Sequence, residues 1–137
     1  MLTSTQRPTL FRVARLNAPG EPLSVVPTTG ELPPSNETSE GIGRGAGTNG
    51  FVYARHLDLF LMWQGGTTIY TLKPPPVGSD PLTSPWEWGR IDGAGSGTTP
   101  GPAEFNGTYG RFWYSLAWKC CGVFNATTQR MQVFALE

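Results

Sequence analysis

Residues 51–72 read FVYARHLDLFLMWQGGTTIYTL, and the fold class turns on whether this run is a helix or a pair of strands. Phe51, Tyr53, Leu57, Leu59, Leu61 and Trp63 share one parity, while Val52, Ala54, His56, Asp58, Phe60 and Met62 share the other. A Leu-rich run of this length competes as a helix. Gly50 in front of it, the Gly65-Gly66 pair behind it and the β-rich Thr67-Thr68-Ile69-Tyr70-Thr71-Leu72 beyond favour two strands joined at the glycines. Pro74-Pro75-Pro76 then ends the second strand, because proline donates no hydrogen bond to a ladder.

Working outward, Tyr109 to Phe124 reads as the clearest half-buried strand. Phe112, Tyr114, Leu116, Trp118 and Cys120 alternate with Arg111, Trp113, Ser115, Ala117, Lys119 and Cys121. On this parity Trp118 belongs to the core, as does Trp63. Asn125 to Thr128 turns the chain into a last strand at Gln129 to Leu136. Trp86 to Ile91 is a short strand with both Trp rings on one face, and residues 9–16 are a strand or an extended arm. The expected fold is all-β: a small antiparallel sandwich or barrel of five or six strands.

Composition sharpens this division. The chain has 137 residues, enough for one domain, and 31 of them are Gly or Pro, close to the level that signals disorder. Its 12% aromatic content points the opposite way. The two signals separate along the chain, with aromatics in the segments 51–72 and 109–136 and Gly and Pro at 17–50 and 74–108. The expected organisation is an extended N-terminal arm over residues 1–50 and a compact β domain over 51–137 with a long internal loop at 74–108.

Charge and motifs narrow the function by exclusion. Ten basic and ten acidic side chains balance, so neither nucleic acid nor an anionic membrane is an expected partner. No apolar stretch is long enough for a spanning helix. The first sixteen residues lack the apolar core and cleavage site of a secretory signal; their Arg and Ser/Thr content superficially fits a mitochondrial presequence, against which Pro8 weighs. The glycines at 41, 43, 45 and 47 lack both the spacing of a dinucleotide fingerprint and the Lys of a phosphate loop, and read as a permissive tether. Adjacent Cys120 and Cys121 read as two reduced thiols, one buried and one outward. With a single His, they supply no complete zinc set. Three Asn-x-Thr sequons, at Asn36, Asn106 and Asn125, read as turn chemistry.

His56 and Asp58 are the one pair with catalytic potential, a carboxylate and an imidazole two residues apart on one strand face. No nucleophile motif accompanies them, so they read as a satisfied polar pair in a non-enzymatic protein with no cofactor or metal. The five Trp residues are a stronger hint. Trp86, Trp88 and Trp113 are expected at the surface, as anchors for a protein partner or as sugar platforms with Glu87 and Asp92 alongside.

Ordering an arm costs about 1–2 kcal/mol per residue, and an arm without its own core recovers that only from a neighbour's surface. The arm at 1–50, the linker at 74–108 and the two hairpins resemble, in overall character across the chain, small accessory proteins of tailed-phage virions, above all capsid decoration or cement proteins. That resemblance implies a non-enzymatic structural protein on the virion's capsid surface, binding across adjacent major capsid subunits and forming homo-oligomers. Leu10, Phe11, Val13, Leu23, Val25 and Val26, with Trp86 and Trp88, are the expected partner contacts. A tail, baseplate or connector component is one alternative; a carbohydrate- or receptor-binding module using exposed Trp is the other.

Overall fold

The computed structural model describes residues 12–13, 24–33, 50–93, 100–101, 111–125 and 127–136. In chain order the strands are β1 (Arg12–Val13), β2 (Ser24–Val25), β3 (Thr28–Gly30), β4 (Gly50–Ala54), β5 (Leu59–Trp63), β6 (Thr68–Lys73), β7 (Trp86–Asp92), β8 (Phe112–Ser115), β9 (Cys120–Val123) and β10 (Gln132–Ala135). Strands β1 and β2 pair with each other, β3-β7-β6-β5-β4 make a five-stranded sheet, and β10-β9-β8 make a three-stranded one. The all-β class holds. Neither larger sheet closes on itself, so the barrel form is excluded.

Topology is mixed rather than antiparallel, because β3 runs parallel to β7 with Thr28 opposite Trp86 and Gly30 opposite Trp88. Part of the expected arm is thus built into the sheet. Gly30 makes this possible: its φ is +84°, and a Cβ there would collide with the Trp88 carbonyl. Strand β7 falls where the sequence predicts a short strand at Trp86 to Ile91, interrupting the long 74–108 stretch. Its pairing to β6 runs from Thr68 opposite Asp92 to Lys73 opposite Glu87. The β5–β6 hairpin at the glycines and the end of β6 before Pro74 are as the sequence predicts.

The two longest expected strands are each a hairpin. Between β4 and β5 the chain turns through Arg55–Asp58, with the Leu57 amide donating to the Ala54 carbonyl at 3.1 Å and Asp58 at φ +53°. Between β8 and β9 it turns through Leu116–Lys119, with the Lys119 amide donating to the Leu116 carbonyl at 3.4 Å and Lys119 at φ +45°. The strand count rises accordingly above the expected five or six.

One core joins the two larger sheets: Ala54, Leu61, Trp63 and Ile69 from one meet Phe112, Cys121, Val123 and Leu136 at the other. A second lies on the opposite face of the five-stranded sheet, where Met62, Leu72, Trp86 and Trp88 are capped by Val26 and Leu82. Burial at this scale stabilises by about 25 cal/mol per Å² of apolar surface.

On the outer face of the three-stranded sheet, Trp113 lies directly over Gly122. A Cβ on Gly122 would sit 2.7 Å from the indole Cε2 and 3.0 Å from the Gln132 carbonyl oxygen. Gly122→Ala is expected to cost about 1–3 kcal/mol by overpacking. A Trp113→Leu background should recover much of that loss in urea melts, giving a non-additive cycle; additive losses would show that the indole is not the obstacle.

Candidate interaction surface

Cross-strand pairing decides which aromatics share a face. Phe51 opposes Met62 and Tyr53 opposes Phe60, so these four lie on the side of the five-stranded sheet that also carries Tyr70, Leu72 and Trp88. Segment 24–33 and Leu82 cover the β7 side of this face. At the β4 edge Phe51 and Tyr53 remain 42% and 40% exposed. Phe51 stacks on Phe60 with centroids 5.3 Å apart and planes 12° off parallel, Tyr53 tilts against Phe60 at 5.0 Å, and Phe60 meets Trp86 at 5.9 Å. The exposed rings are thereby braced against a half-buried one that packs on Trp86. Tyr53 donates its hydroxyl to Asp58, and that hydrogen bond to a carboxylate holds the phenol above its ordinary pKa.

A second apolar feature is the turn after β8. Leu116, Ala117, Trp118 and Lys119 are all exposed, and Trp118 is 77% so, opposite to its expected place in the core. The Trp118 amide donates to Ser115 Oγ at 3.3 Å, and the Lys119 carbonyl accepts from the Leu136 amide at 2.9 Å. Beside it, His56 ties three elements together. Its Nδ1 lies 2.7 Å from the Tyr114 hydroxyl, its Nε2 lies 3.1 Å from the Leu136 carbonyl oxygen, and the two rings stack at 5.6 Å. A carbonyl only accepts, so Nε2 carries a proton and, in the neutral ring, Nδ1 accepts from Tyr114.

The expected His56–Asp58 pair is therefore not formed. Both residues occupy a turn rather than one strand face; Asp58 serves Tyr53, and His56 serves Tyr114 and Leu136. Among the described residues, no three His, Cys, Asp or Glu side chains gather as a metal site. No helix among them is long and apolar enough to cross a membrane.

The expected partner contacts are dispersed. Leu10, Phe11 and Leu23 lie outside the described residues, as does the glycine run 41–47. Val13 pairs with Ser24, and Val25 is exposed. Val26, Trp86 and Trp88 are buried, the two indoles at 7% and 3% exposure, which removes them as surface contacts and as sugar platforms. The reason is the parallel strand β3, which brings Val26 over them. Trp86 is further fixed by donating its Nε1–H to the Pro81 carbonyl at 2.9 Å. Trp113 is half-buried. Asp92 accepts from Thr68 Oγ1 at 3.0 Å and pairs with Arg90, which also holds Glu31. The sequon residue Asn125 is buried, with its Nδ2 on Gln129, and Asn36 and Asn106 lie outside the described residues.

Both cysteines are free and both are buried, Cys121 in the shared core and Cys120 on the opposite face of its strand, so the expected solvent-facing thiol is not found. Burial, followed by the neighbouring Cys120, pushes the Cys121 thiol from its ordinary 9.0 up to about 12. A thiol with a raised folded pKa holds its proton more tightly in the native state. Its stabilisation is complete below pH 9 and is lost as pH climbs toward 12. The loss approaches about 4 kcal/mol at the top of that window. Urea midpoints should fall with rising pH across it, and Cys121→Ala should flatten the slope; an unchanged slope would refute the assignment to Cys121.

Exposed Phe51, Tyr53, Leu116 and Trp118 are what the sequence reading missed. The available signal was length: runs of 13 and 16 residues exceed the five or six usual for a strand, and the polar Arg55, His56, Asp58 and Lys119 mark where each must turn. No family model, curated protein or solved structure matches the chain.

Proposed function

We propose that this protein is a non-catalytic structural component of a virion, a small two-sheet β-sandwich that binds across adjacent capsid subunits and stabilises the shell. The observation that carries the reading is the exposed apolar surface at the Leu116–Lys119 turn and the Phe51–Tyr53 edge, held on rigid hairpins. Exposed aromatics on a fixed scaffold suit docking, where a few large side chains supply most of the affinity. Many copies on one shell multiply modest contacts into firm attachment.

The sugar-binding alternative loses its expected platforms and keeps Trp118 as its exposed indole. Trp86 and Trp88 are buried, and Phe51 spends a ring face on Phe60 instead of offering it to a pyranose. A tail or baseplate position would use the same surface and is distinguished by where the protein sits.

The test is genetic and physical. Particles purified from a producing culture should carry the chain at a fixed copy number per capsomer, with label on the shell. Particles made without the gene should release their genome at a lower temperature. Absence of the chain from purified particles would sink the reading, and label confined to tails would move it to the tail.

A further inference from the structure

We infer that Trp118 is a preformed docking knob whose partner is a concave apolar socket with a carboxylate rim on another protein, and, resting on the reading above, that this protein is the capsid subunit. The two turns at this end of the molecule form a contrast. Arg55 and Asp58 project from one while His56 folds inward, as solvent exposure favours. The other presents Leu116, Ala117 and Trp118. A Trp side chain carries on the order of 150–250 Å² of surface, and here most of it meets water.

The backbone beneath the indole is held from both sides. Ser115 Oγ accepts from the Trp118 amide, Leu116 closes the turn to Lys119, and the Lys119 carbonyl is bonded to the Leu136 amide. His56 fixes Tyr114 and the Leu136 carbonyl one step further in. Binding thus costs little further ordering of this segment, which favours a hot spot.

The chemistry of the tip selects among occupants. A sugar stacked on an indole needs several carboxylates or amides beside the ring, whereas the exposed turn of Leu116, Ala117, Trp118 and Lys119 brings a single polar side chain, and the Trp118 and Lys119 amides are engaged internally. An anionic lipid surface wants a cluster of several cations, whereas the exposed residues of these two turns bring only Arg55 and Lys119, with Asp58 offsetting one of them. A protein socket accommodates both signs of charge. Lys119, next to Trp118 in the exposed turn, favours a carboxylate on the socket's rim.

The experiment adds full-length protein back to particles lacking it. Trp118→Ala should weaken rebinding at least about 30-fold, the loss typical of a hot spot. Trp118→Phe should keep part of the affinity, and Lys119→Glu should weaken binding and reverse its salt dependence. Because the side chain is exposed, the thermal melt of Trp118→Ala should match wild type, which separates docking from folding. Vesicles of phosphatidylserine and phosphatidylcholine, and sedimentation of the protein alone, run in parallel. Wild-type rebinding that Trp118→Ala leaves unchanged overturns the knob and spares the capsid reading. Wild type that rebinds to no particle overturns both. Vesicle binding or self-association that depends on Trp118 replaces the socket by a lipid surface or a second copy.

Discussion

Trp63→Ala is expected to lower the unfolding free energy by about 3–5 kcal/mol, the range for removing a large buried aromatic. Trp63 is fully buried where the two larger sheets share their core, and its neighbours there come from both: Leu61 and Ile69 on one side, Val123 and Cys121 on the other. The cost has two parts. Deleting the indole opens a cavity that two sheets cannot collapse to fill, and it withdraws the Nε1–H that donates to the Gly66 carbonyl at 3.0 Å and steadies the β5–β6 turn. Trp63→Phe separates them, since it keeps most of the volume and loses the donor; its expected cost is about 1–2 kcal/mol. Small domains have only about 5–15 kcal/mol in total, so the alanine variant should sit close to its midpoint in mild urea. Far-UV circular dichroism through a urea series reads this directly. A shift of the Trp63→Ala midpoint no larger than that of Trp63→Phe would mean the sheets close over the gap.

How far the sequence specified this fold depends on turn length. The hairpin at Gly65-Gly66 and the stop at Pro74 were legible because their chemistry is local. The turns at 55–58 and 116–119 were not, because apolar alternation continues across them. A four-residue turn pairs Ala54 with Leu59 and Ser115 with Cys120, residues of opposite parity. The buried set therefore switches from even to odd positions between β4 and β5. Phe51 and Tyr53 leave the side occupied by Leu61 and Trp63, and Trp118, assigned to the core by counting onward from Phe112, falls outside both strands. The same shift places Phe112 with Val123 rather than with Cys120. The same miscount at two turns thus concealed the edge aromatics at one and the exposed indole at the other, and with them the candidate surface. The burial of Trp86 and Trp88 was hidden for a different reason. Alternation put both rings on one face correctly, but what covers that face comes from a parallel pairing to residues 28–30, a long-range contact that no local pattern encodes.

That long-range contact makes Trp88 the other site of large effect, and there stability and partner binding give opposite expectations. Were Trp88 a surface contact, Trp88→Ala would leave the melt unchanged and weaken docking. Its burial at 3% beneath Val26, against Leu72 and Met62, predicts instead a loss of about 3–5 kcal/mol. The backbone around it is equally committed: the Glu31 amide donates to the Trp88 carbonyl at 3.2 Å, and Gly30 sits against that carbonyl in a conformation suited to glycine. The indole and segment 24–33 should therefore unfold together. Val26→Ala, about 1–3 kcal/mol on its own, should couple to Trp88→Ala, so that the double variant loses less than the two single losses combined. Hydrogen exchange should also show Glu31 losing protection in Trp88→Ala, because its acceptor strand is no longer held in place. Assayed well below its lowered midpoint, Trp88→Ala should still bind particles as wild type does, whereas Trp118→Ala should bind poorly and melt normally. The opposite pattern in the two variants would return Trp88 to the surface and Trp118 to the core.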